Sequence, residues 1–368
     1  MPRSAPTHPA TIPGVEHGST EVRGRALHHV SAGGSGSPVL LVHGFPETWW
    51  VFHRLIPWLA PSHRVVAVDL PGFGDSGRGP GDLTSAAVAE DLHALVAALG
   101  LGPVHLLGQD IAGGTVFRLA ATHPDDVRSL VAVETTLPGF GFEALADVGH
   151  GGVWHIGVLA SRGAADFVFG GRERRYLEEV WFPRMTAVPG AVTPEDLDEL
   201  VRAYSAPDAW HGTYGLYSSA LTEGEQIQAL VTGGTFRAPV LAVDAMGAPR
   251  TATTMQAVSD RVTTAVLDGV GHHVALEAPE RLADLVLPFL AEVDRPSADA
   301  QRSSARRATG TGPDGRIRAG LRPSPPTCTA PAPPLSWPSP PPPRPSPHPS
   351  SRPAPARAPA GWSPRRAG

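Results

Sequence analysis

The segment Gly108-Gln109-Asp110-Ile111-Ala112-Gly113-Gly114 sets a carboxylate among small residues, after the apolar run Val104 to Leu107 and before a stretch predicted to be helical to about Thr122. A sharp strand-to-helix elbow forces strained dihedrals and close backbone approach, so small residues at 108 and 112 are what it requires, and the central side chain is held out into a cleft. An aspartate held there is a candidate nucleophile; in an ordinary turn it would instead cap the next helix. Two further segments favour the nucleophile. His43-Gly44-Phe45-Pro46 directly follows an apolar run ending at Val42, and the backbone N–H groups of Phe45 and Ile111 are candidates for an oxyanion hole, with His43 read as structural. Gly269-Val270-Gly271-His272 comes late in the chain, before a helix beginning near Pro279. A general base is expected there: His272 is the candidate and His273 its rival.

The elements that position these residues follow from periodicity. Pro38 to Val42, Arg64 to Val68, Val104 to Leu107 and Ser129 to Val133 are short continuous apolar runs of the kind that form strands buried on both faces, with later candidates at Val240 to Val243 and Thr264 to Leu267. Ser85 to Leu99 aligns Val88, Leu92, Leu95, Val96 and Leu99 on one helical face, and Gly100 supplies a stop. Strand alternating with helix predicts an α/β fold, a mostly parallel doubly wound sheet. From Pro138 to Gln228 that rhythm breaks into aromatic-rich, helix-length stretches such as Pro194 to Ala203, the pattern of an inserted helical cap. The expected organisation is a core in two parts, residues 18–137 and 229–294, a cap over 138–228 and a disordered Pro/Arg-rich tail over 295–368.

His43-Gly44-Phe45-Pro46-Glu47-Thr48-Trp49, Asp69-Leu70-Pro71-Gly72-Phe73-Gly74-Asp75-Ser76, the Asp110 elbow and Gly271-His272 together resemble the epoxide hydrolases of the α/β-hydrolase fold family, over about residues 20 to 294. The resemblance implies a two-step reaction. The carboxylate opens an epoxide to a covalent ester, and a histidine-activated water then hydrolyses the ester to a vicinal diol.

Here the chain departs from the commoner pattern, in which the acid of the triad follows the penultimate strand, because the matching position is Ala248. Glu134, just past the run Ser129 to Val133, resembles the placement used by some relatives of the fold, and it is the expected partner of His272. Asp244 is the alternative, otherwise read as a strand-end residue meeting solvent. The family also implies a cap-borne proton donor for the leaving alkoxide, usually a pair of tyrosines. Tyr217 is assigned because Tyr204-Ser205-Ala206-Pro207 and the aromatic stretch after it are similar to the family segment that ends in the second tyrosine. His155 is its partner, since Trp154-His155 resembles the variant in which a histidine replaces the first. Tyr176, Tyr204 and Tyr214 stay in reserve. Trp49, Trp154 and Tyr204 are expected to contact substrate, and Phe167, Phe169 and Trp181 to add apolar walls, which favours a small hydrophobic or aryl epoxide.

Composition narrows the remaining classes. From Arg295 onward stand 20 of the 41 prolines, 12 arginines and two acidic residues, with few aliphatic side chains. Such a segment buries too little apolar surface to offset its ordering entropy. All 30 basic residues are arginine, and the net charge is −5. The single cysteine, Cys328, lies in the tail, so no intramolecular disulfide forms. The first thirty residues lack a signal-peptide core and no run approaches the ~20 apolar residues that span a bilayer, so the expected location is cytoplasmic. No dinucleotide fingerprint, phosphate loop or His-Glu-x-x-His stretch appears, so no cofactor, metal or nucleic acid is expected, and the oligomeric state is left open. A dehalogenase with the same nucleophile is the enzymatic alternative. Ile111 stands against it, because haloalkane dehalogenases generally resemble one another in placing Trp directly after the nucleophile and fluoroacetate dehalogenases place Arg there. A non-catalytic small-ligand binder on the same fold would have little reason to keep Asp110, Glu134 and His272 together.

Overall fold

The computed structural model describes residues 9–79, 81–234 and 236–295; the tail beyond Arg295, with Cys328 in it, lies outside the described residues. One eight-stranded sheet is built from β1 (Glu16–Val22), β2 (Arg25–Ala32), β3 (Pro38–Val42), β4 (Arg64–Val68), β5 (Val104–Gln109), β6 (Val127–Val133), β7 (Val240–Asp244) and β8 (Val262–Val266), in the order β1-β2-β4-β3-β5-β6-β7-β8. β4, β3, β5, β6, β7 and β8 pair in parallel, whereas β1 and β2 pair antiparallel with each other and β2 antiparallel with β4. This is the α/β-hydrolase architecture expected from the motifs.

Alternation along each strand divides the apolar side chains between two cores. Leu40, Val42, Leu106 and Leu130 face the helices Ser85–Ala98 and Ala112–Thr122, while Val39, Leu41, Leu107 and Val131 face the turn Trp49–Phe52 and the helix Pro279–Asp294. Truncating such a residue, Leu40 for instance, costs about 2–5 kcal/mol through lost burial and the cavity left behind. β8 begins two residues earlier than the apolar pattern indicated, because its outer face is exposed. β1 and β2 were not expected. They join through Arg23-Gly24, with φ of 48° and 82°, a two-residue hairpin turn in which Arg stands where Asn or Asp would have signalled it.

Between β6 and β7 the described residues contain helices and no strand. Trp154–Leu159, Ala164–Phe169 and Glu173–Tyr176 come first, and the last runs through a π-helical turn, Leu177–Trp181, into Phe182–Met185. Pro194–Tyr204, His211–Ala220 and Gly224–Thr232 follow. Charged clamps hold this insertion to the sheet domain. Thr193 and Asp196 form a capping box at the start of Pro194–Tyr204, and the buried Asp196 carboxylate also accepts from the Trp50 indole at 2.9 Å and from Arg54 at 2.6 Å. Arg202 grips both oxygens of Asp75 at 2.9 and 2.7 Å. At the far end, Glu223 accepts from Arg118 at 2.9 Å and from the Ser85 hydroxyl. The buried carboxylates of Asp196 and Glu223 tolerate such sites only when paired, so removing Arg54 or Arg118 leaves a charge uncompensated.

Candidate active site

Parallel strands deliver their loops to one edge, and the neighbours β3, β5 and β6 end there in Val42, Gln109 and Val133. Asp110 follows β5 with φ of +53°, a left-handed conformation that costs a non-glycine residue about 1–3 kcal/mol and is typical of strained functional turns. The surroundings enforce it. A Cβ on Gly108 would meet Val116 at 2.5 Å, one on Gly113 would meet Thr135 Oγ1 at 1.7 Å, and one on Gly44 would meet the Asp110 Cβ at 2.5 Å. The Thr135 hydroxyl also donates to the Asp110 carbonyl at 2.7 Å, tying the elbow to the end of β6.

The Asp110 carboxylate is divided between two tasks. Its Oδ2 accepts the Phe45 N–H at 2.9 Å, while Oδ1 lies 3.3 Å from His272 Nε2. Burial raises the Asp110 carboxyl, but the hydrogen bond with His272 and the N–H groups of Ile111 and Phe45 more than offset this and hold it below its usual range. The other ring nitrogen of His272, Nδ1, is 3.3 Å from Glu134 Oε2. Burial pulls the imidazole down, yet the hydrogen bonds to Asp110 and Glu134 win and push it up to about 10. Glu134 also has positive φ, +48°, and its Oε1 accepts the N–H groups of Ala245 and Met246 at 2.5 and 3.3 Å. The backbone of His272 donates to the Met185 carbonyl at 2.7 Å, so the base loop leans on the helical insertion.

The structure thus brings Asp110, His272, Glu134, Phe45 and Ile111 together. Asp244 is elsewhere engaged. Only 1 % exposed, it accepts the N–H groups of Thr251 and Ala252 at 2.7 and 2.9 Å, capping the helix Arg250–Val258; it does not meet solvent as a strand-end residue would. His273 points away from the nucleophile, with Nδ1 on Glu47 at 2.8 Å and Nε2 accepting from the Trp181 indole at 2.8 Å.

Over the elbow, Tyr217, Tyr204 and Trp181 each present an edge to the Phe45 ring, with centroids 5.8, 5.9 and 5.0 Å away. The Tyr217 hydroxyl has no hydrogen-bond partner among the described residues, and burial together with the charge of Asp110 pushes its pKa well above the usual phenol value, so it stays protonated. Burial lowers His155 to about 4, with Asp110 opposing and His272 assisting, so at neutral pH its ring carries one N–H. Tyr204 is committed to the Glu47 carbonyl at 3.3 Å. Tyr214 lies under the Arg162 guanidinium at 5.0 Å, whereas Tyr176 stacks on Phe169 at 4.0 Å with its buried hydroxyl unpaired.

Three of the expected wall residues are differently placed. Trp49 is fully buried in the second core with its ring edge-on to His17 and Trp50, Phe167 is 85 % exposed, and Trp154 is 40 % exposed with one face on Phe169 and Tyr176. Aromatic type alone does not tell which side of an element a ring takes. Residue type did not single out Trp210 and Phe142, which pack on Phe45 and Tyr217 respectively. Ligand-type side chains also gather at His93, His123 and Asp126, but the two imidazoles stack face to face at 3.7 Å with planes 8° apart, and one ion cannot lie in both ring planes in that arrangement. No helix among the described residues is long and apolar enough to cross a membrane.

Comparison with known proteins agrees with this fold. Residues 37–151 match the alpha/beta hydrolase fold family. The chain is 28% identical over 292 residues to a soluble epoxide hydrolase of Corynebacterium sp. (strain C12), covering 75% of this chain and 98% of that one. It is 32% identical over 187 residues to a fluoroacetate dehalogenase of Burkholderia sp., covering 49% and 62% respectively. A solved structure of a putative epoxide hydrolase from Pseudomonas aeruginosa is similar with a TM-score of 0.70 and 25% identity, over 78% of this chain and 98% of that one.

Proposed function

We propose that the chain, a hydrolase of the α/β-hydrolase fold, is an epoxide hydrolase that works through a covalent ester on Asp110. The observation that carries this reading is the division of the Asp110 carboxylate, one oxygen at the Phe45 N–H and the other beside His272. The oxygen facing His272 attacks an epoxide carbon and the ring C–O bond breaks. Tyr217 and His155 give the departing alkoxide its proton. Attack leaves Asp110 as a neutral ester whose carbonyl oxygen stays against the N–H groups of Phe45 and Ile111, ready to bear charge in the second step.

Esterification also changes the base. With the Asp110 charge gone, His272 loses one of the two partners that hold its proton; the ring passes that proton back to the donor spent in ring opening, and the neutral imidazole can then take a proton from water. Glu134 keeps the ring oriented and stabilises the imidazolium as water attacks the ester carbonyl. The diol leaves and the carboxylate is restored. Substrate is a small hydrophobic epoxide, in keeping with the Phe45, Trp181 and Trp210 surfaces, and water is the co-substrate. The core and cap division at residues 138–228 belongs to the same proposal.

The rival is dehalogenation, which the relative from Burkholderia sp. keeps in view. A halide leaves without needing a proton, so in dehalogenation Tyr217 and His155 would serve only as hydrogen-bond donors to the departing anion. Diol formation from styrene oxide, with no halide released from fluoroacetate or short haloalkanes and with at least about tenfold loss in Tyr217→Phe, supports the epoxide reading. Halide release without diol formation contradicts it.

A further inference from the structure

Glu47 is a buried carboxylate, 1 % exposed, and no arginine is among its hydrogen-bond partners in the described residues. Its Oε2 accepts the Gly44 N–H at 2.8 Å. Its Oε1 accepts from Gln109 Nε2 at 2.5 Å and from His273 Nδ1 at 2.8 Å, and its backbone carbonyl accepts the Tyr204 hydroxyl at 3.3 Å. One side chain therefore joins the oxyanion loop, the residue before the nucleophile and the residue after the base.

The pair also fixes a tautomer. An indole N–H is a donor only, so the Trp181 Nε1 contact at 2.8 Å requires a lone pair on His273 Nε2, and the ring proton sits on Nδ1, where Glu47 accepts it. Without the carboxylate the imidazole would be free to carry its proton on Nε2, facing the indole donor to donor. Trp181 has no other polar atom on its side chain. It ends the π-helical turn Leu177–Trp181, and its ring lies edge-on to Phe45 at 5.0 Å and against His155 at 4.8 Å. π-helical turns are uncommon and recur at functional sites. A carbon-only ring at 273 would fill this fully buried place without the demand for two matched partners, which makes the polar solution informative about what it holds.

We propose that His273, with its tautomer set by Glu47, is a positioning residue for ring opening: it holds the Trp181 indole as the wall against which His155 presents its proton to the epoxide oxygen. The role rests on the epoxide reading above and is separate from water activation by His272. It predicts that damage to the Glu47–His273–Trp181 line falls on the first chemical step and spares the second.

Two variants test this, because His273→Phe removes the acceptor while Trp181→Phe removes the donor and leaves the Glu47–His273 pair in place. Single-turnover quench experiments with styrene oxide measure ester formation and ester hydrolysis separately. Nitrogen-15 spectra of the eight tryptophan indoles identify the Trp181 resonance by its absence in Trp181→Phe. The expected result is a displaced, faster-exchanging Trp181 resonance in His273→Phe. Ester formation is slowed about tenfold in either variant, and no further in the double variant, with hydrolysis changed less than about twofold. Equal slowing of both steps, or an unmoved resonance, overturns the role while leaving the epoxide reading intact. Absence of any ester in the unaltered protein overturns the epoxide reading and the role together.

Discussion

His272 and His273 are neighbours on one loop, and each ring lies against a glutamate, yet the two regions they serve differ in the group on the other ring nitrogen. On the cleft side, His272 stands between two carboxylates, Glu134 and Asp110, and both favour a proton on the ring. On the core side, His273 stands between the carboxylate of Glu47 and the N–H of Trp181, and a donor on the far nitrogen locks a single tautomer instead. The lesson is that a histidine–carboxylate pair has no fixed meaning. Two acceptors make a group whose proton can be released when one acceptor is chemically consumed, as Asp110 is on esterification. An acceptor opposite a donor makes a rigid strut.

Exchanging the critical atoms should break this contrast, and the largest effect is expected at the nucleophile. Asp110→Asn keeps shape but loses the attacking charge, and kcat should fall at least about 10⁴-fold with the fold retained by circular dichroism. Next comes Glu134→Gln, which should slow ester hydrolysis about 10²–10³-fold in single-turnover measurements and ester formation much less. Asp244→Asn sharpens the same point from the opposite side. If Asp244 only caps the helix Arg250–Val258, the change costs about 1 kcal/mol of stability, read as a lowered melting temperature, and leaves the rate of ester hydrolysis within about threefold.

A pH dependence tests the same contrast through stability. Because the His272 proton is bound more tightly in the folded chain, pushed up to about 10 from 6.5, the stability it contributes is complete below about pH 6.5 and is lost as pH rises through about 10. Melting temperatures of the unaltered protein and His272→Gln should therefore converge between pH 6.5 and 10. A gap that stays constant over that range would mean that Asp110 and Glu134 do not hold a proton on His272.

Much of the sheet and of the cleft was legible because local physics marks it. Strands covered on both faces read as continuous apolar runs, as at Pro38–Val42, and the Asp110 elbow announces itself through the small residues that Val116 and Thr135 demand. Glu134 was visible because it stands just past the run Ser129 to Val133, where the resemblance to relatives of the fold places the acid. The β1–β2 hairpin was not, since its turn uses Arg23-Gly24 and β2 buries His28 and His29, which interrupt the continuous apolar run that marks strands such as β3. The helix-capping role of Asp244 depends on a helix that starts six residues later, and no contiguous motif records it. Glu47 and His273 lie 226 positions apart, so their pairing is a property of the folded edge and not of either motif.

The most direct test of the cleft is to trap the ester. His272→Gln is incubated with styrene oxide and then examined by intact and peptide mass. The expected result is one substrate mass added to the peptide containing Asp110 and retained over many turnover times, with diol released by the unaltered protein and no adduct on Asp110→Asn. Diol production by the unaltered protein with no adduct in His272→Gln, or an adduct on any other residue, would contradict Asp110 as nucleophile and His272 as base.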